Sequence, residues 1–324
     1  MRIKRIVSVF LCLMLLGGCT IGEKKIDFSF VGPFTVFTMG KLTCRKPEAQ
    51  IYILTYKNLY DKVGDTDLFD GDFDVSRVQD RITRAAINHL SEIYMLNLYA
   101  KENDIKLEEA DKRRVSAAAV KFMESVGEED AQKLGINLKK IRKMYENYAV
   151  AIKVYSQVIG AIDEEVSEDE ARIMDAYVLY VENKKTFKKL KRDLKNGASF
   201  DRLLATYCEG DKGIISFGKG EYPKEVEEAA FALKNGEISE GIKAEDGYYF
   251  IYCVDKYNEE LSEENKKKIV QKRKDDLLNK IISEQKGEYN SHLNENLVEK
   301  LSTSAEDLET DEFFTIIEEQ FGGQ

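Results

Sequence analysis

The sequence predicts an α+β fold in which a helical bundle, built from both ends of the chain, is interrupted by a small domain of strands and helices. Three observations carry this. Apolar residues recur three or four apart through 47–160 and again through 262–301, and between them the texture changes to short strand-like runs. Each helical stripe is one-sided and has to be covered, so the carboxyl-terminal stripe is expected to return onto the amino-terminal helices. The stretch between them is then an insertion.

The chain opens Met1-Arg2-Ile3-Lys4-Arg5 and continues in an apolar run from Ile6 to Leu16, the charged and apolar regions of a secretory signal. The run is too short to span a bilayer comfortably. Leu16-Gly17-Gly18-Cys19 follows at once and resembles the lipobox of bacterial lipoproteins, which implies cleavage before Cys19 and a lipid on its thiol. Residues 1–18 are therefore expected to be a leader and 19–32 a lipid-anchored tether, placing the rest outside the cytoplasm on the bacterial cell membrane. Loss of Arg2, Lys4 and Arg5 would take the net charge from -10 to -13, which argues against nucleic acid and against adhesion to anionic headgroups beyond the lipid itself.

A short strand is expected around Phe34 to Met39, followed by a helix over 47–63 that begins at Pro47 and has Gly64 after its end. A second helix over 75–103 sets Val78, Ile82, Ala86, Leu90, Ile93 and Leu96 on one face. Over 107–126, Val115, Ala119, Phe122 and Val126 repeat the pattern and Gly127 closes it. Over 137–160 the spacing is strict, with Leu138, Ile141, Tyr145, Tyr148, Ile152, Tyr155 and Ile159 in one stripe whose aromatic members read as core. These helices make a domain over 33–166.

Ser167 with Glu170 three residues on has the form of a capping box and opens a different domain over 167–258. Its expected elements are a strand at Met174 to Val181, a helix at Lys184 to Asn196 ended by Gly197, and short helices at Phe200 to Tyr207 and Glu225 to Leu233. Strands over 237–242 and from Gly247 to Val254 complete it. A carboxyl-terminal helix over 259–301 carries Ile269, Leu277, Ile281, Tyr289, Leu293, Leu297 and Leu301. The acidic tail, 302–324, with its apolar Phe313-Phe314-Thr315-Ile316-Ile317, is expected to be partly disordered.

Motifs across about eighty residues of the insertion resemble parvulin-type (PpiC) peptidyl-prolyl isomerases. They run Gly197-Ala198-Ser199-Phe200-Asp201, Phe217-Gly218-Lys219-Gly220, Pro223, Glu227-Glu228-Ala229-Ala230-Phe231, Gly236-Glu237-Ile238-Ser239 and Asp246-Gly247-Tyr248. The flanking helices resemble the chaperone lobes of the PrsA and SurA foldases. The resemblance implies a four-stranded antiparallel sheet, rotation about the bond before proline, and a site of two histidines, an acid or cysteine, and an apolar pocket. At the two histidine positions it places Tyr177 and Tyr249, and in the substrate pocket Phe217, Tyr222, Val226 and Phe231.

The two tyrosines read either as a modified active site or as core residues with satisfied hydroxyls. Three functions follow as expectations: a membrane-anchored foldase for unfolded or secreted polypeptides, an active isomerase with a modified site, or a non-catalytic scaffold binding one envelope partner. His89 and His292, the two histidines, fall in helices outside the insertion and are expected to be solvated or half-buried. With no metal-ligand set, phosphate loop or nucleophilic triad in the sequence, no cofactor or metal is expected. Cys44, Cys208 and Cys253 cannot all pair, and a Cys208–Cys253 bridge stays open.

Overall fold

A computed structural model describes residues 32–63, 75–208, 212–304, 307, 308, 310 and 312–322. The expected leader, Cys19 and most of the tether lie outside the described residues. None of the described helices is long and apolar enough to cross a membrane. The chain divides into two compact units, one of Met1–Ile162 with Asp275–Gln324 and one of Asp163–Lys274.

The first unit begins with strands β1 (Thr35–Met39) and β2 (Leu42–Arg45), followed by helices α1 (Lys46–Val63), α2 (Val75–Glu102), α3 (Glu109–Lys133) and α4 (Leu138–Gly160). Asn137 caps α4 by accepting from the Lys140 amide at 3.0 Å. Gly127, expected to end its helix, instead kinks α3 at φ 76°, and the chain resumes helical geometry to Lys133. In α2, His89 lies on the same stripe as Ala86 and Ile93 and is fully buried, contrary to expectation. Its Nδ1 pairs with the Tyr56 hydroxyl at 2.8 Å, and burial holds the imidazole neutral with its pKa pushed down to about 3.

The expected single carboxyl-terminal helix is broken. Helix α9 (Glu259–Glu288) ends before strand β7 (Ser291–Leu293), which carries His292, and α10 (Glu295–Ser302) follows. Strand β7 covers the second edge of β1, giving the order β2-β1-β7, and Asn294 then caps α10. An edge that needs hydrogen-bond partners here outweighs helical periodicity.

The tail also departs from expectation, because Glu312–Phe321 is a helix, α11. Its acids obscure a helical period that puts Phe313, Phe314, Ile316, Ile317 and Phe321 on one buried face. Phe313 stacks on Tyr145 with ring centroids 4.5 Å apart and planes 9° from parallel, and its carbonyl accepts the Tyr145 hydroxyl at 3.0 Å. Phe314 stacks on His89 at 5.4 Å. The aromatic stripe of α4 is therefore core, closed by the last turns of the chain.

The second unit holds α5 (Glu168–Ala171), β3 (Met174–Val181), α6 (Lys184–Lys195), α7 (Phe200–Tyr207), β4 (Ile215–Phe217), α8 (Lys224–Phe231), β5 (Ile242–Lys243), β6 (Tyr248–Asp255) and the start of α9. Its strands form an antiparallel sheet in the order β4-β3-β6-β5. Ser167 accepts from the Glu170 amide at 3.1 Å, one half of the expected capping box, while the Glu170 carboxylate turns to Arg273 and α5 is a single turn. The strand expected over 237–242 shrinks to one bridge, Ile238 to Tyr252, and the two residues of β5. Arg273 fastens α9 to this unit, donating to both Glu170 oxygens at 2.7 and 2.8 Å and to the carbonyls of Asp163 and Glu165.

Two predictions follow from the first unit. Phe313→Ala removes a fully buried ring and is expected to cost about 3–5 kcal/mol in urea unfolding, whereas an unchanged midpoint would refute the closing role of α11. The second concerns Glu48 and Glu92, whose carboxyls burial pushes up from 4.5 to about 7. Between those values the folded state keeps protons that the unfolded chain has released, so this contribution is full below 4.5 and is lost as pH rises through about 7. Stability should therefore fall on going from about pH 5.5 to about pH 8, and Glu92→Gln should flatten the fall; a wild-type slope of opposite sign would contradict it.

Candidate functional site

Successive side chains of a strand point to opposite faces, so the β3–β6 pair fixes which residues can meet. Its register sets Val178 opposite Ile251 and Tyr180 opposite Tyr249. One face gathers Met174, Ala176, Val178 and Tyr180 with Tyr249, Ile251 and Cys253, covered by Phe217, Val226 and Ala230. The other gathers Tyr177, Leu179 and Val181 with Tyr248, Phe250 and Tyr252, covered by Leu190, Phe200, Leu203 and Cys208.

This separates the two tyrosines expected to form one site. Tyr177 lies against Tyr252 at 6.2 Å on the α6–α7 face, while Tyr249 belongs to the α8 face. The β3 side chains that share a face with Tyr249 include Val178, one residue further on, and Tyr180, directly opposite it. A single-residue error of register in reading a strand always changes face. The same division keeps Cys208 and Cys253 on opposite faces, and both are free thiols, as is Cys44.

The four expected pocket residues do come together on the α8 face. Phe217, fully buried, meets Tyr222 edge-on at 4.8 Å and Phe231 at 5.8 Å, and Tyr222 meets Tyr249 at 6.2 Å. Val226 is fully buried among them, and the Tyr180 ring sits 5.0 Å from that of Tyr249. The cluster is apolar and aromatic, and of the four expected residues Tyr222 and Phe231 are part-exposed while Phe217 and Val226 are core. Arg172 covers its rim, with the guanidinium 5.3 Å over the Phe231 ring and Nη1 donating to the Phe231 carbonyl at 3.1 Å.

Polar groups around the wall are committed to structure. The Tyr249 hydroxyl donates to Asp246 Oδ2 at 2.5 Å and that of Tyr180 to the Asp246 carbonyl at 2.7 Å. Burial first, and then the Asp246 carboxylate, push the Tyr249 phenol well above its ordinary range, so it stays protonated and donating at neutral pH. Burial likewise raises the Cys253 thiol, with Asp255 adding to it, which keeps that sulfur un-ionised. A Cβ on Gly247 would lie 2.5 Å from the Tyr180 ring, so only glycine allows that ring to cross the turn.

Sequence reasoning missed Glu227 as an anchor. One of its oxygens, Oε1, accepts from the backbone amides of Gly220, Glu221 and Tyr222 at 2.6, 2.9 and 3.0 Å. Gly220 at φ 89° supplies the left-handed turn that aims these amides at one point. The carboxylate thereby fixes the loop that lays Tyr222 against Phe217 and Tyr249. The available signal was an acid in the first turn of the helix that follows a Gly-Lys-Gly loop, which alone resembles any helix-start acid.

Glu227→Ala is expected to cost about 1–2 kcal/mol in denaturant unfolding of this unit, with Glu227→Gln losing less because an acceptor oxygen remains. An unchanged unfolding midpoint in the alanine variant would refute the anchoring role of Glu227.

The description "Rotamase: PPIC-type PPIASE domain" fits residues 180–255 of the chain. That match begins at Tyr180, so Tyr177 and Val178 precede it. Foldase protein PrsA 1 of Bacillus cereus is 35% identical over 126 residues, 35% of this chain and 43% of the relative. Foldase protein PrsA of Geobacillus kaustophilus is 32% identical over 150 residues, 43% of this chain and 50% of the relative. The chain thus spans about half the length of these relatives. A crystal structure of a peptidylprolyl isomerase (PrsA) from Bacillus cereus overlaps 71% of this chain and 88% of its own at 19% identity with a TM-score of 0.37, a likeness that says nothing about function. The chain carries a PpiC-type peptidyl-prolyl isomerase domain and is a homologue of the PrsA foldases.

Proposed function

We propose that this chain is an extracytoplasmic foldase, held on the bacterial cell membrane by a lipid on Cys19, that receives unfolded or secreted polypeptides. The anchoring rests on the charged start, the apolar run and the Leu16-Gly17-Gly18-Cys19 sequence. The substrate reading rests above all on one observation: Phe217, Tyr222, Val226 and Tyr249 gather in one apolar aromatic cluster, where the resemblance puts the proline-binding site.

Turning the bond before proline needs no covalent step. Amide resonance sets a barrier of about 18–20 kcal/mol, and a catalyst must desolvate the amide and stabilise its twisted form. On the pocket face Val178 offers no polar atom, and the Tyr249 and Tyr180 hydroxyls are already given to Asp246. His89 and His292 both belong to the other unit. We therefore read the PpiC-type unit as one that holds proline-bearing segments and lacks the family's histidine-centred site.

A second contact surface is available in the helical unit. The kink at Gly127 opens a cleft of about 600 Å³ between α3 and the start of α4, lined by Val120, Met123, Ile136 and Leu138 and edged by Glu124 and Glu128. Val120 and Leu138 are exposed there. Such a surface suits unfolded chains, which present many weak apolar contacts and little sequence specificity.

Both parts can be tested in one pair of strains. In bacteria producing the full chain, it should fractionate with membranes and gain the mass of a lipid on a chain starting at Cys19, and Cys19→Ser should release it. Purified chain from Thr20 onward should suppress aggregation of a chemically unfolded secreted protein. Membrane retention of the serine variant would defeat the anchor, and unimpeded aggregation would defeat the foldase reading.

A further inference from the structure

The chain is acidic, yet helix α6 is not. Its twelve residues, KKTFKKLKRDLK, hold seven cations and one acid, a net charge of +6 that leaves -16 on the other 312 residues. At 100° per residue the seven cations occupy an arc of about 160°. The remaining face is used within the unit: Leu190 is fully buried and Phe187 stacks on Tyr248 at 4.5 Å. Lys191 pairs with Glu240 at 3.4 Å, Arg192 with Asp193 at 3.4 Å, and Lys189 lies 4.9 Å over the Tyr207 ring. Lys184, Lys185, Lys188 and Lys195 are exposed.

This arrangement works against the helix. Lys184 and Lys185 stand in the first turn, which carries no acid, where the helix dipole disfavours cations. Like charges also face each other four residues apart at 184 and 188, 185 and 189, 188 and 192, and 191 and 195. Lys191, Arg192 and Lys189 find partners inside the unit, and Arg192 and Lys195 suit the carboxyl end of the helix; the like-charge crowding that remains points to a gain outside the fold. An anionic partner relieves every one of these repulsions at once.

We infer that the outer face of α6 docks on an anionic lipid surface. The choice of a membrane as occupant rests on the anchoring proposed above; the charge pattern stands without it. Recognition of a carboxylate or phosphate in a defined geometry favours arginine, whose planar fork binds in two places. Six of the seven cations are lysines, point charges on flexible stems, and the one arginine is engaged with Asp193. Spread over the convex side of one helix, they make a diffuse field that suits a continuous sheet of headgroups. The net acidity of the chain concealed this field, because attraction at a surface falls off within about a Debye length, near 8–10 Å.

The test uses the unlipidated chain from Thr20 to Gln324, so that it is independent of Cys19. Sedimentation with vesicles of phosphatidylglycerol and phosphatidylcholine in equal parts should carry the chain down, added salt should release it, and phosphatidylcholine vesicles should not bind it. Lys184→Glu with Lys188→Glu and Lys195→Glu should weaken binding by roughly fivefold or more per charge. Should circular dichroism show that variant unfolded, Lys184→Gln with Lys188→Gln and the salt dependence of the wild type decide instead. Equal binding to both vesicle types, or binding unmoved by the substitutions, overturns the inference. So does saturable binding of a polyglutamate peptide that the variant loses while vesicles stay unbound, which would assign the face to an acidic polypeptide.

Discussion

The two-residue alternation along β3 and β6 is the constraint from which the second unit follows. With Val178 set opposite Ile251, one face receives α8 and becomes the aromatic wall, and the other receives α6 and α7. The same choice that turns Tyr249 toward Phe217 and Tyr222 turns Tyr248 toward Phe187, and so seats the basic helix. Site and charged surface are thus opposite consequences of one strand pairing. A slip of β3 by one residue would turn Tyr177 into the wall, and a slip of β6 would empty it of Tyr249.

Burial, more than charge, governs the chemistry of both units. His89 is held neutral in the helical core, and the Cys44 and Cys253 thiols and the Tyr249 phenol are all raised by desolvation. The aromatic wall is accordingly apolar, with the Tyr249 and Tyr180 hydroxyls both given to Asp246. Ionic character is kept for surfaces. Glu227 is the instructive exception, a carboxylate at the rim whose three backbone donors hold the loop that completes the wall.

Much of this is legible in the amino-acid sequence alone. The strict spacing of Ile141, Tyr145, Tyr148 and Tyr155 marks α4 and its buried face, and Ser167 with Glu170 marks a helix start, because periodicity and capping are local. The assembly of Phe217, Tyr222, Val226 and Phe231 is also legible, through the resemblance of their motif. What stays hidden depends on partners far away in sequence. Strand β7 exists because β1 has an open edge, and α11 is helical because Tyr145 and His89 offer its phenylalanines a place. The resemblance puts Tyr177 in the wall because a motif fixes position only to about one residue, and in a strand one residue is the difference between faces.

The central claim is that the PpiC-type unit retains a proline pocket without histidine-centred catalysis. It is tested most directly by the slow, proline-limited refolding phase of a test protein, measured at increasing ratios of the chain from Thr20 onward. The account predicts a rate constant unchanged at substoichiometric chain, with any effect appearing only as the chain becomes equimolar and binds. Acceleration that persists over many turnovers at small ratios would contradict it, and would make the Tyr249 wall an isomerase site in its own right.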